Sequence, residues 1–165
     1  MGSAPFNLRT VRCVIIVQPV SNTESEAGGI FHYRFAVPKD AIDENGHVNN
    51  VVYIQWMQDV AIRHSNALGG TSAMRAVGCT WVVRSHKVEY LSPAYAGDCI
   101  EAATWVVSFR RVRSLRQYRF VRTSDAKLLA RGETEWVCVS TKNGRPRAIP
   151  ESVSTCFLLP SNHES

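Results

Sequence analysis

The chain lacks any apolar run near the roughly 20 residues that a bilayer crossing needs. Its longest apolar stretch close to the N-terminus, Val14-Ile15-Ile16-Val17, is too short for a secretory hydrophobic region, and the expected location is cytoplasmic. It also lacks a C-x-x-C pair: Cys13, Cys79, Cys99, Cys138 and Cys156 are scattered, odd in number, and without histidines at zinc spacing. They read as reduced, buried small hydrophobes, and no structural metal site is expected. No internal repeat or Gly-Pro linker divides the 165 residues, a length suited to one domain with a real core.

Acidic charge is in short supply. The formal net charge is +5, and Arg110, Arg111, Arg113, Arg116, Arg119 and Arg122 fall within one short segment. A moderate basic excess suits an anionic ligand. Taken alone, the cluster also fits a solvated strand pair with arginines on its wet face. Phe109, Tyr118 and Phe120 interleave with these arginines, yet no RNA-binding signature is present and nucleic acid is not an expected partner.

What is there begins with an apolar fragment, RCVIIVQPV, and a polar, Gly-ended stretch, SNTESEAGG, that reads as a loop. Residues 1–29 are therefore an N-terminal extension with at most one strand, and 30–160 the main domain. Ile30 to Val37 alternates as a strand that Pro38 ends. Tyr53, Trp56, Met57, Val60, Ala61, His64 and Leu68 recur at steps of three and four and predict one long helix. Gln55, Asp59, Arg63 and Asn66 form its polar face, with Asp59 and Arg63 spaced for an i,i+4 pair. Asn49 or Asn50 can cap its start, and Gly69-Gly70 ends it. His64, on the apolar face, reads as a satisfied core histidine.

Four β-rich runs follow, roughly Cys79–Leu91, Asp98–Arg113, Leu115–Thr123 and Leu128–Thr141, separated by short turns. Short turns imply antiparallel pairing, hence an α+β domain with one helix against one sheet. One helix cannot cover both faces of so wide a sheet, so self-association is expected.

The run DENGHVNN, Asp43 to Asn50, stands directly before the helix. A helix start offers free N–H groups and the positive end of the dipole, suited to polarising a carbonyl oxygen. Asp43 could act as nucleophile or as general base toward water. Gly46 lets a ligand approach the backbone, and Asn45 and His47 can orient groups by hydrogen bonds. Singly, these residues fit a turn and a helix cap. As an ordered set before an aromatic-rich helix, they point to acyl transfer or hydrolysis.

This order, D-x-N-G-H-V-N-N followed by Tyr53 and Trp56, resembles the hotdog-fold thioesterases of the 4-hydroxybenzoyl-CoA thioesterase family. Its D-x-N-x-H portion also resembles the plant acyl-ACP thioesterases. The resemblance continues through KVEYLSPAYAGD and RPRAIPESV and covers about residues 30–155. It implies one long helix wrapped by a five- to six-stranded antiparallel sheet, and a homodimer or homotetramer with sites at subunit interfaces. It implies Asp43 as the catalytic carboxylate, the Asn50 backbone N–H as oxyanion donor, and Asn45 and His47 as part of the site. Gly46, Tyr53 and Gln58 would meet substrate, Gln58 replacing an acid that the benzoyl-CoA enzyme carries. Ala41 stands where many relatives have a second aspartate, and the acyl group is left open. Basic residues around the hairpin of the middle strands would meet CoA phosphates, here Arg110, Arg111, Arg113 and Arg116, together with Ser114 at the Ser114-Leu115 turn. Coenzyme A would enter only as part of the substrate, with no separate cofactor. An acyl carrier protein is the other candidate thiol carrier. Two further readings of the same groove are an enoyl-thioester hydratase and a non-catalytic acyl-CoA-binding module.

Overall fold

The computed structural model describes residues 22–160. The apolar fragment RCVIIVQPV lies outside them. Six strands form a single antiparallel sheet: β1 (Thr23–Ala27), β2 (Ile30–Ala36), β3 (Cys79–Tyr90), β4 (Cys99–Arg110), β5 (Arg113–Arg122) and β6 (Lys127–Ser140). Their order across the sheet is β1-β2-β4-β5-β6-β3, which leaves β1 and β3 at the edges among the described residues. Among the described residues are three α-helices, α1 (Asn50–Ala67), α2 (Gly70–Ala76) and the single turn α3 (Glu151–Ser154), and a short 3-10 turn at Lys39–Ala41.

The long helix and the last four strands match the sequence periods closely. Two elements were not legible. SNTESEAGG, expected to be a loop, holds β1, which pairs with β2 from Thr23↔Arg34 to Ala27↔Ile30. All five β1 residues are exposed, so no apolar alternation marks the strand. The second is α2, which begins where the glycine pair was expected to end all helix. Gly69 takes a left-handed φ of 76° and turns the chain, and Gly70 then starts the new helix.

The core lies between α1 and the concave face of the sheet. Tyr53, Met57, Val60, Ala61 and His64 of α1 are buried there, with Phe31, Ile100, Tyr118, Phe120 and Leu129 beneath them. Trp56, expected among the buried residues, is only half-buried and packs on the rim against Phe35. On the polar face Arg63 pairs with Glu24 of β1 at 2.6 Å and Asp59 accepts from Gln55 at 2.9 Å, in place of the expected Asp59–Arg63 pair. A second apolar cluster, with Met74, Cys79, Val106, Cys138, Val153 and Phe157, closes the far end of the domain. Cys79, Cys99, Cys138 and Cys156 are all free thiols.

The helix can approach β6 closely because position 132 has no side chain. A Cβ built on Gly132 would stand 2.9 Å from both Sδ and Cε of Met57 and 3.1 Å from the Lys87 carbonyl oxygen. Gly132→Val would push α1 off the sheet, and overpacking of this kind costs about 1–3 kcal/mol. A chemical-denaturation midpoint unchanged from wild type would contradict that expectation.

Candidate active site

DENGHVNN folds as a tight hairpin that runs straight into α1. Ile42 and Val48 form an antiparallel bridge. The Asp43 N–H donates to the His47 carbonyl at 3.0 Å, and the Gly46 N–H donates back to the Asp43 carbonyl at 3.0 Å. Gly46 closes the loop at φ +81°, a left-handed backbone that a side chain would strain. Asp43 and His47 thus occupy opposite positions of a two-strand ladder, where side chains leave from the same face. One carboxylate oxygen of Asp43 accepts the Asn45 N–H at 2.8 Å. The other has no partner among the described residues. Nδ1 of His47 lies 3.5 Å from the Val48 carbonyl, too far for a firm bond, so the half-buried ring is not locked in place.

The hairpin is tied down on both sides. The Val48 N–H donates to Ala94 in the β3–β4 connection at 2.9 Å, and the Asn49 N–H donates to Ala41 at 2.9 Å. Asn49 is the helix cap: its side chain accepts the Val51 N–H at 2.9 Å, and its carbonyl accepts the Val52 N–H at 3.0 Å. Of the amides from Val48 to Val52, only that of Asn50 has no acceptor among the described residues. It is the first residue of α1 and sits at the positive end of the helix dipole. The Tyr90 hydroxyl donates to the Asn50 carbonyl, in the next peptide group, at 2.9 Å and ties the first turn of α1 to β3.

Asp43, Asn45, Gly46, His47 and Asn50 are therefore together. Tyr53 stands one turn below, with its ring buried against Trp56, Tyr90 and Phe120 and its hydroxyl unpaired. The arginines are elsewhere, and their expected arrangement needs correction. The β4–β5 turn is at Arg111-Val112, not Ser114-Leu115, with Arg111 at a left-handed φ of 40°. Arg110 and Arg111 are exposed beside it and have no ion-pair partner among the described residues. Arg113 pairs with Glu135 at 3.0 Å. Ser114 and Arg116 do not join this surface. They alternate with Arg113 along β5 and so face inward with Tyr118 and Phe120.

Arg116 is only 5% exposed. Its Nη1 donates to His64 Nδ1 at 2.9 Å and to Thr104 Oγ1 at 3.2 Å. His64 is half satisfied rather than fully so, since its Nε2 has no partner. Burial, and then the Arg116 cation, pull the His64 pKa down to about 3. Arg116 borders a cavity of about 350 Å³ between the second half of α1, α2 and the sheet, together with Gln58, Ser65, Thr71, Arg75 and Ser114. Sequence reading missed this cavity. The available signal was the two-residue step from Arg116 to Tyr118 and Phe120, which puts the arginine on the apolar face.

Among the described residues, no group of His, Cys, Asp and Glu is arranged to hold a metal ion, and no helix is long and apolar enough to cross a membrane. Residues 37–157 match the model of the thioesterase-like superfamily. The chain belongs to that superfamily. The acyl-CoA thioester hydrolase YbgC of Escherichia coli is 28% identical over 131 residues, which span 78% of this chain and 96% of that protein. The chloroplastic oleoyl-acyl carrier protein thioesterase 1 of Arabidopsis thaliana is 23% identical over 143 residues, 82% of this chain but 39% of that protein. Among solved structures, the 1,4-dihydroxy-2-naphthoyl-CoA thioesterase Slr0204 of Synechocystis superposes with a TM-score of 0.70 at 19% identity, covering 77% of this chain and 94% of that one. The fold is the hotdog, one long helix wrapped by an antiparallel sheet.

In this thioesterase-like chain the hairpin and the arginine turn stand far apart. Asp98, at the start of β4, bonds to Val37 beside the hairpin, whereas Arg110 ends β4 twelve residues on. At about 3.3 Å per residue that is roughly 40 Å of extended chain. The cavity lies toward the arginine end: His64 is fourteen residues, about 21 Å, along α1 from Asn50.

The His64–Arg116 contact also sets a pH dependence. Below about pH 6.5 the unfolded chain takes up a proton on His64 that the folded chain refuses, so stability falls as pH drops toward 3. His64→Gln retains an acceptor for Arg116 and does not titrate. Urea melts at pH 7 and pH 5 should show a smaller loss for the variant than for wild type. Equal losses would mean that His64 is not the group responsible.

Proposed function

We propose that the chain hydrolyses an acyl thioester, of CoA or of an acyl carrier protein, to a free acid and a thiol. The observation that carries this reading is the pairing of Asp43, with one carboxylate oxygen unpartnered, and the unpartnered Asn50 N–H at the start of α1. The names of the relatives support the same class of substrate.

The thioester carbonyl oxygen would accept from the Asn50 N–H, whose dipole stabilises the oxyanion as the carbonyl carbon becomes tetrahedral. Asp43 then acts in one of two ways. It attacks the carbon, giving an anhydride that water hydrolyses, or it takes a proton from the water that attacks directly. On either route the C–S bond breaks and the thiolate leaves and is protonated, so acid and thiol are the products. His47, opposite Asp43 on the hairpin, would orient water or the leaving group, and the Asn45 backbone N–H holds the carboxylate.

Reach along one substrate supports a homodimer. Arg110 and Arg111 are free to meet CoA phosphates, but they stand at the opposite end of the chain from Asp43, beyond the span of a pantetheine arm. The edge strand β3 leaves backbone groups unpaired, with Val82 exposed on it, and α1 presents Val51 (69% exposed) and Ile62 (52%) nearby. Two copies related by a two-fold axis, joined β3 to β3, would run their α1 helices antiparallel. Asp43 of one copy would then come beside the arginine turn of the other, and one substrate would span both.

Asp43→Asn removes both basicity and the carboxylate nucleophile. Hydrolysis of the best acyl-CoA, followed by thiol release, should fall by at least about 10²–10⁴ in kcat while substrate still binds. Turnover at the wild-type rate, or water addition to an enoyl-CoA without thiol release, would remove the hydrolase reading. Light scattering should find two or four copies at micromolar concentration. A fully active monomer would exclude the shared site.

A further inference from the structure

The cavity beside Arg116 holds a cation that no carboxylate pairs with among the described residues. A buried cation is normally matched by a carboxylate, because taking it out of water costs several kcal/mol. Arg116 instead meets a neutral imidazole and a hydroxyl, both through one nitrogen, Nη1, and the face of the Phe157 ring, 5.7 Å from its guanidinium carbon. Its Nε and Nη2 have no partner among the described residues, leaving donors of the planar fork available. The residues around the cavity include a second arginine, Arg75, and no aspartate or glutamate. The walls are otherwise mixed, with Met74, Val106, Phe109 and Phe157 beside Gln58, Ser65, Thr71 and Ser114. A volume of about 350 Å³ stands at the small end of ligand pockets. The lining thus combines apolar walls with cationic donors and no carboxylate.

Given the hydrolase reading, on which this rests, we infer that the preferred acyl group carries a carboxylate at its far end, which Arg116 binds at the closed end of this chamber. The substrate class is then the mono-thioester of a short dicarboxylic acid. Among the lining residues Ile62 and Thr80 are exposed and Gln58 is half-buried, and Thr80 belongs to β3, the strand at which the proposed second copy would bring its own Asp43. The thioester carbon would sit at that carboxylate and the chain would run inward past Gln58. Arg116 is a specificity residue and touches no reacting atom. Its fork would bind the substrate carboxylate bidentately, a geometry that a lysine cannot reproduce.

The test compares glutaryl-CoA and adipoyl-CoA with valeryl-CoA and hexanoyl-CoA. Wild type should favour the carboxylated member of at least one pair by tenfold or more in kcat/KM. Arg116→Met should erase that preference, chiefly by raising KM for the carboxylated thioester, and Arg116→Lys should retain part of it. Because a variant at a buried site can fail to fold, the same question is put to the wild-type protein with free acids. Adipate should raise the melting temperature and hexanoate should not. Equal kcat/KM within each pair, together with no adipate effect, overturns the inference and leaves the hydrolase reading intact. An adipate shift that Arg116→Met abolishes, with no thioester hydrolysed, keeps the anion chamber and removes the hydrolase reading.

Discussion

The seating of α1 against the sheet is the contact on which the rest of the molecule depends. It requires a bare backbone at Gly132, into which Met57 settles, and a ring of aromatics, Tyr53, Trp56 and Phe120, stacked edge to face around the first turns. Both are packing effects, paid for by apolar area removed from water. They decide where the helix begins, and the beginning of the helix is where the chemistry stands. The first amide of α1 is available to a ligand because Asn49 satisfies its neighbours and the hairpin satisfies those before it.

The hairpin converts a flexible polar loop into a fixed support. Eight residues with little bulk cannot hold themselves in place by burial. They are held instead by backbone bonds to Ala41 and Ala94, both in segments anchored to the sheet. This explains why a small polar motif needs a glycine at one position and why its histidine and aspartate are set four residues apart. Moving either by one residue would send its side chain to the other face of the ladder.

Most of the fold was legible because it rests on burial at regular periods. Ile30–Ala36, α1 and β3 to β6 each bury one face, and that face shows in the sequence. The unread elements lack such a face. The strand Thr23–Ala27 is held by ladder bonds and by the Glu24–Arg63 pair, neither of which leaves a local apolar pattern. The helix Gly70–Ala76 starts from two glycines, a signal that normally ends a helix. At the candidate site, the grouping from Asp43 to Asn50 was legible as a string. The distance of the arginines from it was not, because it depends on which end of β4 meets the hairpin. Arg116 was misassigned for a related reason: charge in the string suggested a wet face, whereas the two-residue alternation with Tyr118 and Phe120 put the side chain inside.

The two borders of the sheet differ in character. β3 is long and carries an exposed valine, whereas β1 is short, exposed throughout, and bears Glu24 and Glu26. Charged, short borders repel the addition of another strand. Two copies paired through β3 would leave only the short, charged β1 borders outside among the described residues, and such a pair would be closed. A border of that kind would keep a basic, strand-rich protein from stacking into open-ended fibres.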